Sequence, residues 1–551
     1  MTGSPMAMPL RIMHRWRQRM SGVELSILFC ATAFALLVVH RGPVPPVLSA
    51  APPGAVLSLG QALLRMGALT LVHVVLSLQI VVLGSLILSG AACHWPRFRS
   101  FLVPALSVAR AVPGLGLIGM IGAVASPSLT IMLVAASSMI WRIVTAVLDA
   151  EDTLPLALDE VATGLRMTGW QRFWRLQIPM SVPLSTFRAI QAMPAFWVRL
   201  IASEGLMMLM NHEASGGCGA EILRATLDHH VSGIVEGSLL VLVLIVLVDQ
   251  CIMRPMTGWS QRYRPEGPVH ERSRQQSWLL GVWRRTKALL WLSEGIGAAL
   301  TWIGNWRIGH AHTVNSASSG RVQRLPEAVF PTLSLLLLAY AIHHAGLFRL
   351  LSSDLAESVL TFAHVCGTLF LCVLVWVPLG LFISERGSSL SSPFRNAVAA
   401  CGLFPAVLLY PLCRELGLNS AVILLFLGAH WLVGIVVLDA AKAIPSGLRQ
   451  VATGLRLRGS LLWRRLLLPA IAPELCGGLL TAVVPVWNAV MVAEAFVPAE
   501  SGLGARLLSE VLDGALGAQI LALMLLTLLS MLLDRLVLQP LAVNAAQKYT
   551  L

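Results

Sequence analysis

The chain has 551 residues, 56% of them hydrophobic and only 12% charged, with a mean hydropathy of +0.76. Soluble domains carry about 25% charged residues, so this composition cannot cover a water-facing surface, and one soluble core of this size would have to bury nearly every side chain. Apolar runs near 20 residues long, enough for a helix to cross a hydrocarbon core, recur throughout. The composition is that of a polytopic all-α membrane protein. Its net charge of +13 requires no nucleic-acid partner. The basic residues cluster beside apolar runs, where the positive-inside rule places cytoplasmic flanks.

In chain order, residues 1–22 form a basic N-terminus carrying Arg11, Arg15, Arg17 and Arg19. The apolar run 23–39 has the flanks of a signal peptide, but Arg41 and a Pro-rich stretch separate it from Ser49-Ala50-Ala51, so a retained span is expected. Further spans are predicted near 66–90, 101–123, 128–148, 182–207 and 234–254, closing a first unit over 23–254. The basic stretch 255–325 reads as a cytoplasmic linker. Within it, Trp278 to Trp306 has the composition of either an interfacial amphipathic helix or a flexible connector. A second unit over 326–540 follows, with spans near 326–345, 359–383, 394–412, 420–440, 472–495 and 515–538, and residues 541–551 form a tail. With the basic N-terminus placed inside, six spans per unit put the linker and the C-terminus in the cytoplasm too.

The nine cysteines include no CxxC pair, and those in or beside apolar stretches are expected to pack as small hydrophobes. His229-His230, His343-His344 and the pair His310/His312 lack a surrounding ligand set, so no metal site is predicted.

An internal repeat sets the expected architecture. Val161-Ala-Thr-Gly-Leu-Arg166 recurs as Val451-Ala-Thr-Gly-Leu-Arg456, an offset of 290 that also relates Trp141 to Trp431, Asp149 to Asp439, Pro179 to Pro469, Trp197 to Trp487 and Glu204 to Glu494. At an offset of 285, Gly219 matches Gly504, Asp249 matches Asp534, and Pro255 matches Pro540. The repeated block lies in the loops 155–180 and 445–470, between the fourth and fifth spans of each unit. Leu158, Val161, Ala162 and Leu165 have the spacing of an apolar helical stripe, repeated by Leu448, Val451, Ala452 and Leu455. Gly164 and Gly454 weaken each helix, Gly169 and Gly459 are expected to end or turn it, and Pro179 and Pro469 to break the chain before the next span. A short bent helical module with an apolar face suits docking into a groove of another protein. An interfacial helix against headgroups is the plainer alternative.

At these residues the chain resembles the inner-membrane permeases of binding-protein-dependent ABC importers, whose cytoplasmic loop reads E-A-A, then Gly, then a hydrophobic residue and Pro. The matching positions are Glu160, Val161, Ala162, Gly164, Ile178 and Pro179 in the first unit. The second has Gln450, Val451, Ala452, Gly454, Leu468 and Pro469, with Gln450 in place of the acid. Trp487-Asn488 through Glu494, followed by Gly502-Leu-Gly504 and Asp534-Arg535, is similar to the nitrate/sulfonate/taurine/bicarbonate group. The first unit keeps Trp197 and Glu204 but has Val198 in place of the Asn. The resemblance implies two six-helix type I permease units of the methionine-importer-like fold in tandem, about twelve transmembrane helices in all, in the cell inner membrane. It further implies a substrate path between the units, two cytoplasmic ABC ATPase subunits gripping the loops, and a periplasmic or extracellular solute-binding protein. Trp197, Glu204, Trp487, Asn488 and Glu494 are candidates for the pathway or for structural hydrogen bonds.

The three lysines, Lys287, Lys442 and Lys548, sit in no phosphate-cradling G-x-x-x-x-G-K-[ST] loop, and no catalytic triad or carboxylate pair is evident. The chain is expected to be no enzyme and to hold no cofactor, with ATP used by a partner. The competing readings are a secondary transporter of two parallel six-helix halves, with Glu204 and Glu494 as coupling groups, and a membrane scaffold without transport activity.

Overall fold

A computed structural model describes residues 56–210, 216–260, 263, 302, 304–306, 355–385, 388–401, 410, 413, 417, 420–457, 459–495, 497 and 502–549. Every described element is helical. In order these are α1 (Val56–His94), α2 (Pro96–Ala111), α3 (Gly114–Gly122, its first turn 3₁₀), α4 (Pro127–Asp152), α5 (Leu156–Gly164), α6 (Gly169–Met210), α7 (Cys218–Leu227) and α8 (Val231–Ser260). Then follow α9 (Leu355–Glu385), α10 (Ser388–Cys401), α11 (Ala421–Ala443), α12 (Ser446–Gly454), α13 (Trp463–Ala495), α14 (Leu503–Leu512) and α15 (Leu516–Tyr549). Among the described residues, eight helices are long and apolar enough to cross a membrane, nine if α2 and α3 form one bent span. The chain is a multi-pass helical membrane protein. The expected spans 23–39 and 326–345 lie outside the described residues, as does most of the linker.

Apart from α3, the order from α9 onward repeats the order from α1: long helix, short helix, span, short loop helix, long span, short helix, span. Within each set, the helices α1, α4 and α6, or α9, α11 and α13, pack side by side. Trp197 and Trp487 are fully enclosed in one continuous core that draws on both sets.

Two expectations are corrected. The predicted span 101–123 is not straight: α2 and α3 meet at 103°. The cause is Pro113, which has no N–H to continue the helix and pushes Val112 into extended backbone at φ −69°, ψ 123°. Nor does the helix break at Pro179 or Pro469, where α6 and α13 continue without interruption. A wide π turn, Phe173–Gln177 or Trp463–Leu467, ends just before each proline. Ile178 and Leu468 then donate five residues back, to the carbonyls of Phe173 and Trp463. Pro255 and Pro540 are preceded in the same way by the π turns Asp249–Met253 and Leu533–Leu538. Widening by one residue relieves the clash between the proline ring and the preceding turn while keeping the other carbonyls bonded.

The two sets meet at the bend. α3 touches α13, α14 and α15 through glycines. A Cβ on Gly116 would lie 2.7 Å from Leu523 and 2.8 Å from Leu507, and one on Gly119 would overlap Gln519. Small residues at such crossings let backbones approach closely where lipid supplies no hydrophobic drive.

Candidate functional site

Three arrangements are built from the singled-out residues. The first is the pair of loop modules. α5 ends in a Schellman motif: Arg166 N–H donates to Thr163 at 2.9 Å and Met167 N–H to Ala162 at 3.0 Å. α12 repeats it, with Arg456 donating to Thr453 at 3.0 Å and Leu457 to Ala452 at 2.9 Å. The left-handed residue that closes each motif is an arginine, Arg166 at φ 48° and Arg456 at φ 52°. The sequence expectation put this turn at Gly169 and Gly459. Gly459 does have φ 56°, but it comes after the helix has ended, and Gly169 opens α6 behind a Thr168–Gln171 capping box.

The stripe divides in two. Ala162 and Ala452 are buried, whereas Val161 (56% exposed), Leu165 (59%), Val451 (58%) and Leu455 (68%) face outward with Glu160 and Gln450. Among the described residues, nothing beyond its own helix comes within 4 Å of a Cβ placed on Gly164 or Gly454. Each module therefore presents an uncovered apolar face beside open space. Pro179 is buried and Pro469 half-buried at the roots of the following spans.

The first module is clamped by charges the second lacks. Glu151 accepts from Arg99 Nη1 at 2.9 Å, Arg172 Nη1 at 3.1 Å and Gln177 Nε2 at 2.7 Å, while Arg172 Nε reaches Asp159 Oδ1 at 2.9 Å. The positions 290 residues on from Glu151 and Arg172 are Ala441 and Leu462. The linker also touches this module, since Gln171 Nε2 donates to the Asn305 carbonyl at 3.2 Å.

The second arrangement is a duplicated buried node. Glu204 has no exposed surface, and its Oε2 accepts from Thr70 Oγ1 at 3.1 Å and from Gly219 N–H at 3.0 Å. His73 Nδ1 lies 2.8 Å from the other oxygen. Glu494 repeats this with Thr361 at 3.1 Å, Gly504 N–H at 2.8 Å and His364 Nδ1 at 2.8 Å. In both nodes the carboxylate meets the amino end of a short helix, α7 or α14, where N–H groups lack helical partners. A Cβ on Gly217 would fall 2.5 Å from the Glu204 carboxylate, and one on Gly219 would overlap the Ile201 carbonyl. Glycine is what allows this approach.

The third arrangement is the seam between the sets. Asn488 Oδ1 accepts from Gly114 N–H at 3.2 Å and from Arg199 Nη2, so the bend, α6 and α13 share one side chain. Arg199 is buried and also donates to Ser137 Oγ at 2.6 Å. Trp197 and Trp487 pack into the core beside this seam rather than lining it.

Sequence reading missed Thr70, His73, Thr361, His364, Glu151 and Arg199. The threonine and histidine pairs carried a findable signal, recurring at an offset of 291 on the helices that begin each set. Glu151 and Arg199 have no repeat partner and no motif.

No family model matches the chain, and no solved structure matches it. Among curated proteins it is similar to the osmoprotectant import permease protein OsmW of Salmonella typhimurium, 31% identical over 105 residues. That stretch is 19% of this chain and 46% of the relative, so the match spans less than half the relative's length.

Proposed function

We propose that this chain is the membrane-spanning permease of an ABC importer, built as two six-helix units in one polypeptide with twelve spans. In this reading a solute path runs between the units, and a separate ATPase drives it through the modules α5 and α12. A solute-binding protein delivers the solute from outside. The similarity to an import permease supports the class. The observation that carries the coupling role is the duplicated module, a Schellman-ended helix whose Val and Leu face outward beside an unobstructed glycine in both sets. An apolar face left uncovered twice, in the same geometry, is expected to be covered by a partner.

Orientation follows from charge. The modules and the linker lie in the cytoplasm, and the Glu204 node lies at the far end of α6, whose 42 residues span about 60 Å. The protein resides in the cell inner membrane. Two solute classes are in play: a small anion such as nitrate, sulfonate, taurine or bicarbonate, from the Trp487–Glu494 pattern, and an osmoprotectant, the class named for the relative.

The test is association with the ATPase. A Cβ at Gly164 or Gly454 meets nothing among the described residues beyond its own helix, so Gly164→Val and Gly454→Val should both reach the membrane in normal amount yet co-purify with at least tenfold less ATPase and show reduced uptake. Normal association and uptake in the double variant would make these helices surface elements. Uptake driven by a proton gradient without ATP would favour a secondary transporter.

A further inference from the structure

Three arginines, Arg110, Arg142 and Arg199, gather where the two sets meet, with Arg188 close to Arg142, and among the described residues only two of the four have an acid to balance them. Arg110 pairs with Asp534 at 3.0 Å across the seam, and Arg188 pairs with Asp149. Arg142 and Arg199 pair with no carboxylate among the described residues. Arg199 spends two nitrogens on neutral acceptors, Ser137 and Asn488, and its Nε has no partner. The Arg142 side chain stacks on Trp141, 4.8 Å from the ring, and its buried Nε also has no partner. Guanidinium groups stay protonated in proteins, so neither can relieve its desolvation by losing a proton. Two uncompensated cations side by side inside a membrane bundle are costly, and intramembrane charges of this kind mark substrate pathways.

Arg142 is also placed to use its charge. It lines a cleft between the sets with Gln191 of α6, Tyr410, Trp431 of α11 and Asn488 of α13. Arg199 stands behind Asn488 and adds a second positive charge to that wall. The repeat does not explain this pair, because the positions 290 residues on are Leu432 and Ala489. Asymmetry between otherwise matched units, at the face where they meet, is expected of a site that holds one small solute in one orientation.

We propose that this cleft is a solute subsite for a small oxyanion group, a carboxylate or a planar anion of similar size, held by Arg142 with Arg199 as the supporting charge. The planar fork of Arg142 offers paired donors that match a carboxylate. Trp431 and Tyr410 give the remainder of the solute an apolar and aromatic wall. The subsite rests on the reading of the chain as a permease, and it predicts which end of the solute the protein holds.

The experiment uses the full chain in lipid nanodiscs. Thermal stability is followed against acetate, nitrate, methanesulfonate and trimethylglycine, at ionic strength held constant with chloride. Choline, which keeps the quaternary ammonium but lacks the carboxylate, is the control. Saturable stabilisation by acetate and trimethylglycine, absent with choline, is expected, with the midpoint moved at least tenfold upward in Arg142→Gln. Response to nitrate alone would identify a planar inorganic anion at the same site, and preference for trimethylglycine over acetate would identify a zwitterion, whereas response to methanesulfonate alone, whose sulfonate is tetrahedral, would overturn the planar-anion subsite. If Arg142→Gln does not fold, Arg142→Lys keeps the charge without the fork and should weaken binding severalfold. No saturable response to any of the four probes, or an unchanged response in both variants, overturns the subsite. ATPase association through α5 and α12 is measured separately, so the subsite can fail while the permease reading stands.

Discussion

The glycines of this chain divide into those pressed against a neighbouring backbone and those that face open space among the described residues. A methyl group on Gly219 would overlap the Ile201 carbonyl, and one on Gly504 would sit 2.7 Å from Val490 and 2.8 Å from the Glu494 carboxylate. Backbone cannot yield as a flexible side chain can, so Gly219→Ala should cost at least ~1–3 kcal/mol and lower the unfolding temperature of the purified chain. Gly164→Ala meets nothing among the described residues beyond its own helix and replaces a helical glycine, so it should be neutral or gain up to about 1 kcal/mol. The same melting measurement reads both, and equal effects would contradict the contacts. Glu204→Gln keeps the shape but puts an N–H₂ where one of the two acceptor oxygens stood, against Thr70 and Gly219 on one side or His73 on the other. A loss of about 1–3 kcal/mol is expected, with Glu494→Gln losing a similar amount because its partners are the same. The two glutamates and their glycines were legible as repeats. The histidines and threonines that complete the nodes were not, because they lie on a distant helix and come together only through packing.

At the level of elements, the loop modules were legible in position and period, but not in the residue that ends them. Left-handed backbone after a helix is ordinarily supplied by glycine, so glycines nearby drew the turn. The structure gives it to Arg166 and Arg456, each carrying the cost of a side chain at positive φ. Arg166→Gly should therefore stabilise the turn by about 1 kcal/mol, seen as slower exchange of the Met167 amide, whose bond to Ala162 closes the motif. Arg166→Val, β-branched and poorly suited to that region, should speed the same exchange. Proline misled in the opposite direction. Pro179 and Pro469 read as breaks, because a missing N–H ordinarily stops a helix, yet a single π turn ahead of each lets the span continue. Sequence shows the constraint but not which of its two solutions the surrounding bundle selects. The bend at Pro113 is the other solution, taken where α3 has glycines to set against α14 and α15.

Over the whole molecule, composition was enough to identify the solvent and the repeat was enough to identify two matched sets of helices. The seam between them was hidden, because Asn488, Arg199 and Arg110 depart from the repeat and Asp534, which keeps it, has a different partner from Asp249. Asn488 stands where the first set has Val198, and it binds both the bend at Gly114 and Arg199. Nearby, Arg110 of α2 reaches Asp534 of α15 at 3.0 Å, at a π turn whose counterpart, Asp249, binds Arg254 of its own helix at 2.9 Å. One aspartate of the repeated pair thus serves its own unit while the other ties the units together. Arg110 is 40% exposed, so solvent screening limits the bond, and Arg110→Ala should cost only about 1 kcal/mol or less. Charge reversal is more informative. Arg110→Asp sets two like charges against each other across the seam and should lower the melting temperature more than the alanine change. Arg110→Asp combined with Asp534→Arg should recover most of that loss, and the recovery should shrink as salt is raised. The matching swap of Asp249 and Arg254 should leave packing between the sets unaltered, because that pair never leaves α8. A double variant at Arg110 and Asp534 no more stable than the single reversal would mean that the two sets are held at the seam by packing and by Asn488 alone.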